Sequence, residues 1–125
     1  MARFDRSAPK RLRQNAPGLR QLAHDYANRN SSGHFKASQQ VDDFAFHDPD
    51  HFWTFLEWVV ASDIPLAHLG DLGWGPLTWL LRRHPDEWAA KVAGFAARDA
   101  RMRALVDGVD EDRVAPDVWR LLRRG

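Results

Sequence analysis

The sequence predicts an all-α fold: one compact bundle of six to eight short helices, with helical hairpins as one possible arrangement and a basic N-terminal arm. Three observations carry this prediction. No segment alternates apolar and polar residues with period two over a useful length. Apolar residues recur instead at spacings of three and four, the mark of a helix with one buried face. Pro-Asp pairs at Pro49, Pro85 and Pro116 each precede such a stretch, and Pro suits the first position of a helix. Each Pro is followed three or four residues later by a Trp, but the unequal spacings argue for a repeated helix entrance rather than a repeated unit. At 125 residues the chain has room for a single core. The division expected is an arm over residues 1–18 and one helical domain over 19–125.

The elements follow in order. The start of the chain is polar and basic, and Pro9 and Pro17 interrupt it, so residues 1–17 are expected to be a mobile arm. Leu19, Leu22, Ala23 and Tyr26 share one helical face, which predicts a first helix from about 17 to 28. Asn30-Ser31-Ser32-Gly33 ends it. Ser38 is a candidate N-cap for a second helix that carries Val41, Phe44 and Ala45 on one face.

Asp48-Pro49-Asp50 reads as cap, first helical residue and dipole-facing carboxylate of a third helix. Phe52, Phe55, Leu56, Val59 and Val60 form its apolar face, with Trp53 at the edge. It should end near Ser62-Asp63, before a short helix or turn over 64–72. Gly75-Pro76 should interrupt any helix, so a new one is expected to open at Pro76 with Leu77, Leu80 and Leu81 inward. Pro85 opens the next, with Trp88, Val92 and Phe95 inward. Continuing that helix would put Asp99 in the middle of the apolar face of Met102 and Val106, where an unpaired carboxylate is costly. A break is therefore expected, with Asp99 capping a separate helix from Ala100. An acidic loop over 107–112 leads to a last helix opened by Pro116, with Val118, Trp119 and Leu122 available for packing.

Charge is unevenly spread although the net charge is only +1. Residues 1–36 hold eight basic and two acidic side chains, 37–112 six and fourteen, and 113–125 four and one. Basic ends on an acidic body suit either an acidic partner such as nucleic acid, or ends folded back on the body. With no cysteine, disulfides and thiol chemistry are excluded. No apolar run approaches the length of a membrane span, and no secretory signal is recognisable, so a cytoplasmic, non-membrane protein is expected.

Beyond the individual helices, four groups of residues stand out: Asp48-Pro49 with Trp53; Leu72-Gly73-Trp74-Gly75-Pro76-Leu77; the run Arg98-Asp99-Ala100-Arg101-Met102-Arg103-Ala104-Leu105; and Val118-Trp119. In this the chain, from about 48 to 122, resembles a family of small bacterial helical proteins of uncharacterised function with a Leu-Gly-x-Gly-Pro-Leu corner and a terminal Trp helix. That family usually has Pro where this chain has Ala100, in keeping with a break at Asp99. It tends to carry acidic residues after the corner, where this chain has Thr78-Trp79. The resemblance implies a helical fold and a bacterial source, and it brings no activity with it.

No phosphate-binding loop, dinucleotide fingerprint, nucleophile elbow or zinc-protease motif occurs. The glycines at 70, 73 and 75 lack the preceding strand a nucleotide loop needs; close helix approach and positive φ are the expected reasons for them. The 107–112 loop lacks the ligand order of a calcium site. His47 and His51 have the types and spacing of a metal pair, but Pro49 leaves His47 ahead of the helix, so cap and solvated His are favoured. No catalytic, cofactor or metal residue is assigned.

Two aromatic residues sit on unexpected faces. Trp58 lies away from the third helix's apolar stripe, on the side of His51. Trp79 lies opposite the leucine face beside Arg82 and Arg83, with a cation–π pair between Trp79 and Arg83 as one expectation. Trp and Arg are enriched at binding hot spots. The alternative is that both rings are core in a small domain that needs the burial. The candidate partner-binding set is His51, Trp58, Trp79, Arg82 and Arg83. A second candidate set is the basic arm, Arg3, Arg6, Lys10, Arg11 and Arg13, which suits phosphate contacts. The expected function is a non-catalytic protein-interaction module, of immunity or inhibitor type, that binds a basic partner. The alternatives are a nucleic-acid-associated protein using the arm and a small metal protein or enzyme using His47 and His51.

Overall fold

The computed structural model describes the backbone of residues 10–124 and the side chains of 18–123. Every regular element among the described residues is helical, as the periodicity predicts. The chain divides into two compact units, one ending at His68 and the other beginning at Leu69.

In the first unit, α1 (Lys10–Ala27), α2 (His34–His47) and α3 (Pro49–Ala61) each pack against the other two. Leu19, Leu22, Ala23 and Tyr26 of α1, Val41 and Ala45 of α2, and Phe52, Phe55, Leu56 and Val59 of α3 are all buried. Tyr26 meets Phe55 edge to face, 6.3 Å between centroids, the arrangement aromatic quadrupoles favour. α1 begins at Lys10, earlier than expected, and runs through Pro17. Lys10, Arg11, Leu12, Arg13 and Gln14 are all good helix formers, which offsets the donor that Pro17 removes.

α2 also begins early. Gly33, not Ser38, is its N-cap residue, and no side chain caps it there. The start is fixed by the end of α1. His34 Nδ1 lies 3.0 Å from the Tyr26 carbonyl and 3.3 Å from that of Asp25. A carbonyl only accepts, so Nδ1 carries the proton and donates to a helix end that has spare acceptors. Ser31 Oγ accepts from the Gly33 amide at 3.1 Å and shapes the turn between the helices.

α3 follows its sequence closely. Asp48 caps it by accepting from the His51 amide at 3.3 Å, and Pro49 is its first residue. Beyond the expected stripe, Thr54 and Trp58 are buried too, so this helix has almost no solvent face in its second half. Thr54 can be buried because its hydroxyl donates to the Asp50 carbonyl at 3.1 Å.

The 3-10 turn Leu66–Leu69 leads into the second unit. There α4 (Gly70–Leu72) continues through a π-helical segment, Gly73–Leu77, into α5 (Thr78–Arg83). The expectation that no helix crosses Gly75-Pro76 is corrected here. A π turn spaces donor and acceptor five residues apart, which moves the preceding carbonyl out of the proline ring's way. The Thr78 amide donates across the segment to the Gly73 carbonyl, and the Thr78 hydroxyl donates to the same oxygen at 2.8 Å. Thr78 Oγ1 in turn accepts from the Asp110 amide at 3.2 Å, so one buried hydroxyl pins the bulge to the acidic loop.

α6 (Pro85–Arg98) packs against α5, α7 (Ala100–Val106) and α8 (Pro116–Arg124). Trp88 and Val92 are buried and Phe95 half-buried. Asp99 breaks α6 from α7 as predicted: its carboxylate accepts from the amides of Arg101 at 2.9 Å and Met102 at 3.0 Å. Gly73 owes its place to close approach. A Cβ there would collide with the Leu105 carbonyl oxygen and stand 3.2 Å from Gly108 Cα. Positive φ, the other expected reason, does not apply: no glycine among the described residues adopts it.

Candidate functional site

Trp74, a corner residue outside the candidate binding set, is 57% accessible on the π-helical segment. Trp79 follows on α5 and is half-buried. Between them in space comes Arg113, the last residue of the 3-10 turn Glu111–Arg113. Its guanidinium lies 4.5 Å from the Trp79 ring centroid and 5.5 Å from that of Trp74. Arg82 lies 5.5 Å from the Trp79 ring. All of these distances fall within cation–π range.

Local structure explains the assembly. Thr78 holds the π segment and the acidic loop together at Asp110, and Asp110 caps the 3-10 turn by accepting from the Asp112 amide at 3.1 Å. The Arg113 amide donates to the Asp110 carbonyl at 3.1 Å, which fixes where its side chain leaves the turn. Glu111 and Asp112 stay exposed beside it. The surface therefore combines two indoles, two guanidiniums and two carboxylates, with Arg83 exposed next along α5.

Of the candidate set from the sequence, Trp79, Arg82 and Arg83 lie together on α5. Trp58 does not belong to a surface. It is 1% accessible, because α3 is buried at Thr54 and Trp58 as well as along its stripe. His51 belongs to the first unit, exposed and stacked on Phe44 at 4.1 Å and 12°. It and Trp79 are thus parts of two separately described units. Trp74 and Arg113 were missed for different reasons. The sequence pattern assigns Trp74 to the corner's architecture, and Arg113 lies over thirty positions along the chain, with no periodic relation to Trp79.

The remaining candidates divide similarly. His47 Nε2 is 3.8 Å from Asp43, one turn back, and His51 Nδ1 is 3.7 Å from Asp48, so each His faces its own carboxylate. Among the described residues no three His, Asp or Glu converge as a metal set would. The arm residues Arg3 and Arg6 lie outside the described residues. Lys10, Arg11 and Arg13 lie on the backbone of α1, with side chains outside the description.

Open grooves lie among the described residues of the first unit. One, about 740 Å³, lies between the end of α1 and residues 63–68, with His24, Asn28, Arg29 and His68 on its walls. Another, about 450 Å³, is bordered by α1, Lys36, Phe44 and His51. No helix among the described residues is long and apolar enough to cross a membrane. Comparison with known families, with curated proteins and with solved structures finds no match for this chain.

Proposed function

We propose that this protein is a non-catalytic interaction module, of immunity or inhibitor type, and that Trp74, Trp79, Arg82 and Arg113 form its partner-binding surface. The observation that carries the reading is the exposed Trp74 indole sharing one guanidinium with Trp79. Large rigid aromatic residues and arginines supply most of the affinity at protein interfaces, because they bury much area for few rotors. The sites other chemistry needs are weaker. Each histidine of the 47/51 pair faces its own carboxylate, and the raised proton affinity of Asp42 comes from burial.

The test is a pull-down from native lysate with the full chain and with Trp74→Ala. An exposed ring can be removed without unfolding the protein, so loss of a stoichiometric partner on that change alone supports the surface. A partner retained equally by Trp74→Ala and Trp79→Ala sinks it. A partner lost only on deletion of residues 1–18 points to the basic arm and its nucleic-acid reading instead.

A further inference from the structure

We propose that the chain pairs with a second copy of itself through the outer face of α2, the two helices running antiparallel. This face belongs to the first unit, whereas Trp74 belongs to the second, so the pairing is independent of the surface proposed above. At about 100° per residue, Phe35, Gln39, Asp42 and Phe46 fall within about 60° of one another. Their spacing of four, three and four is that of a coiled-coil seam. α2 buries a different side, Ala37, Val41 and Ala45, within its own unit. Phe35 is 72% accessible, Gln39 is exposed, and Asp42 and Phe46 are half-buried.

The symmetry of the face selects a second copy as its occupant. About a midpoint between Gln40 and Val41, Phe35 mirrors Phe46 and Gln39 mirrors Asp42. A two-fold axis there lays each residue on its mirror position in the other chain. Phe35 then meets the other copy's Phe46 at both ends, and at the centre the Gln39 amide donates to the other copy's Asp42 carboxylate. The solvent flank obeys the same rule. Lys36 and Asp43 are exposed and stand one heptad apart on it, so each Lys36 meets the other copy's Asp43. His47 shares that flank and lies 3.8 Å from Asp43 of its own chain, where protonation gives this carboxylate a second cation. A parallel pair would instead set Asp42 against Asp42 and Lys36 against Lys36, and like charges repel. A helix of a different protein would have no need of this mirror arrangement. At a net charge of +1 the two copies also repel each other little.

The seam is about 17 Å long and carries a carboxylate, so the pairing is weak. Sedimentation equilibrium of the full chain over about 0.01–1 mM is expected to show monomer–dimer exchange, as a small interface gives. Phe35→Glu, at an exposed position, should weaken it at least about tenfold. Lys36→Asp and Asp43→Lys should each weaken it about threefold, and the two together in one chain should restore it. Circular dichroism should show unchanged helix content in each variant. The chain has no cysteine, so cross-linking can report the orientation. A mixture of Phe35→Cys and Phe46→Cys should form disulfides under mild oxidation, and neither variant alone should. A chain still monomeric at about 1 mM overturns the proposal. So does a dimer indifferent to Phe35→Glu, a charge exchange that fails to restore pairing, or cross-linking of each cysteine variant with itself. Trp74→Ala should leave the dimer intact; a dimer lost on that change belongs to the Trp74 surface and overturns pairing through α2.

Discussion

At the scale of single residues, two neighbouring glycines have opposite roles. Gly73 abuts the Leu105 carbonyl, whereas a Cβ on Gly75 meets nothing within 4 Å. Gly73→Ala should cost about 1–3 kcal/mol, as overpacking against rigid backbone does. Gly75→Ala should be neutral or stabilise by about 0.5–1 kcal/mol through the lost flexibility of the unfolded chain. Urea melts of the two variants check the contrast. Asp42 gives a pH dependence. Burial raises its pKa above the ordinary 3.8. The folded state therefore holds this proton more tightly than the unfolded chain, and its contribution to stability is complete below 3.8 and lost as pH rises through the folded value. Asp42→Asn should raise the melting temperature at pH 7, and the advantage should disappear below pH 3.8; thermal melts at both pH values test it. Local chemistry of this kind was readable in the sequence where a residue acts on its own neighbours. Asp48 and Asp99 cap as their positions predicted, because a cap needs only the next two or three amides.

At the scale of elements, the sequence was informative about faces and less so about ends. The stripe of α3 and the leucine face of α5 are buried as predicted. The start of α2 was misplaced because Gly33 lacks a capping side chain, and the turn is set by His34 reaching back to α1. The crossing of Pro76 was unforeseen because π turns have no compositional signal; Thr78, which closes the turn, looks like any buried Thr. Trp58 was ambiguous for a related reason: periodicity identifies one buried face and cannot exclude a second. The break between α6 and α7 rests on one carboxylate with two amide donors. Asp99→Ala should therefore cost about 0.5–2 kcal/mol, and Asp48→Ala, with one longer bond, should cost less. Chemical denaturation of both variants gives the ranking.

At the scale of the whole chain, composition constrains behaviour more than activity. The chain is nearly neutral, with a pI near 8.3. Self-repulsion vanishes there, so light scattering should show the strongest self-association near pH 8.3, easing as the pH moves away from that value and the net charge grows. The candidate surface was only half visible at this scale. Trp79, Arg82 and Arg83 are close in sequence, but Arg113 joins them through the fold.

The π turn at 73–77 has one further consequence, in angular terms. A helix advances about 100° per residue. One residue accommodated without lengthening the hydrogen-bonded ladder acts as a phase shifter: everything after it is rotated by about that angle relative to everything before. This phase lets Leu77, Leu80 and Leu81 face inward while Trp79 turns toward Arg113. A single-codon deletion within the turn would leave composition and helix content almost untouched, yet dial the indole off its cation and the leucines off their core.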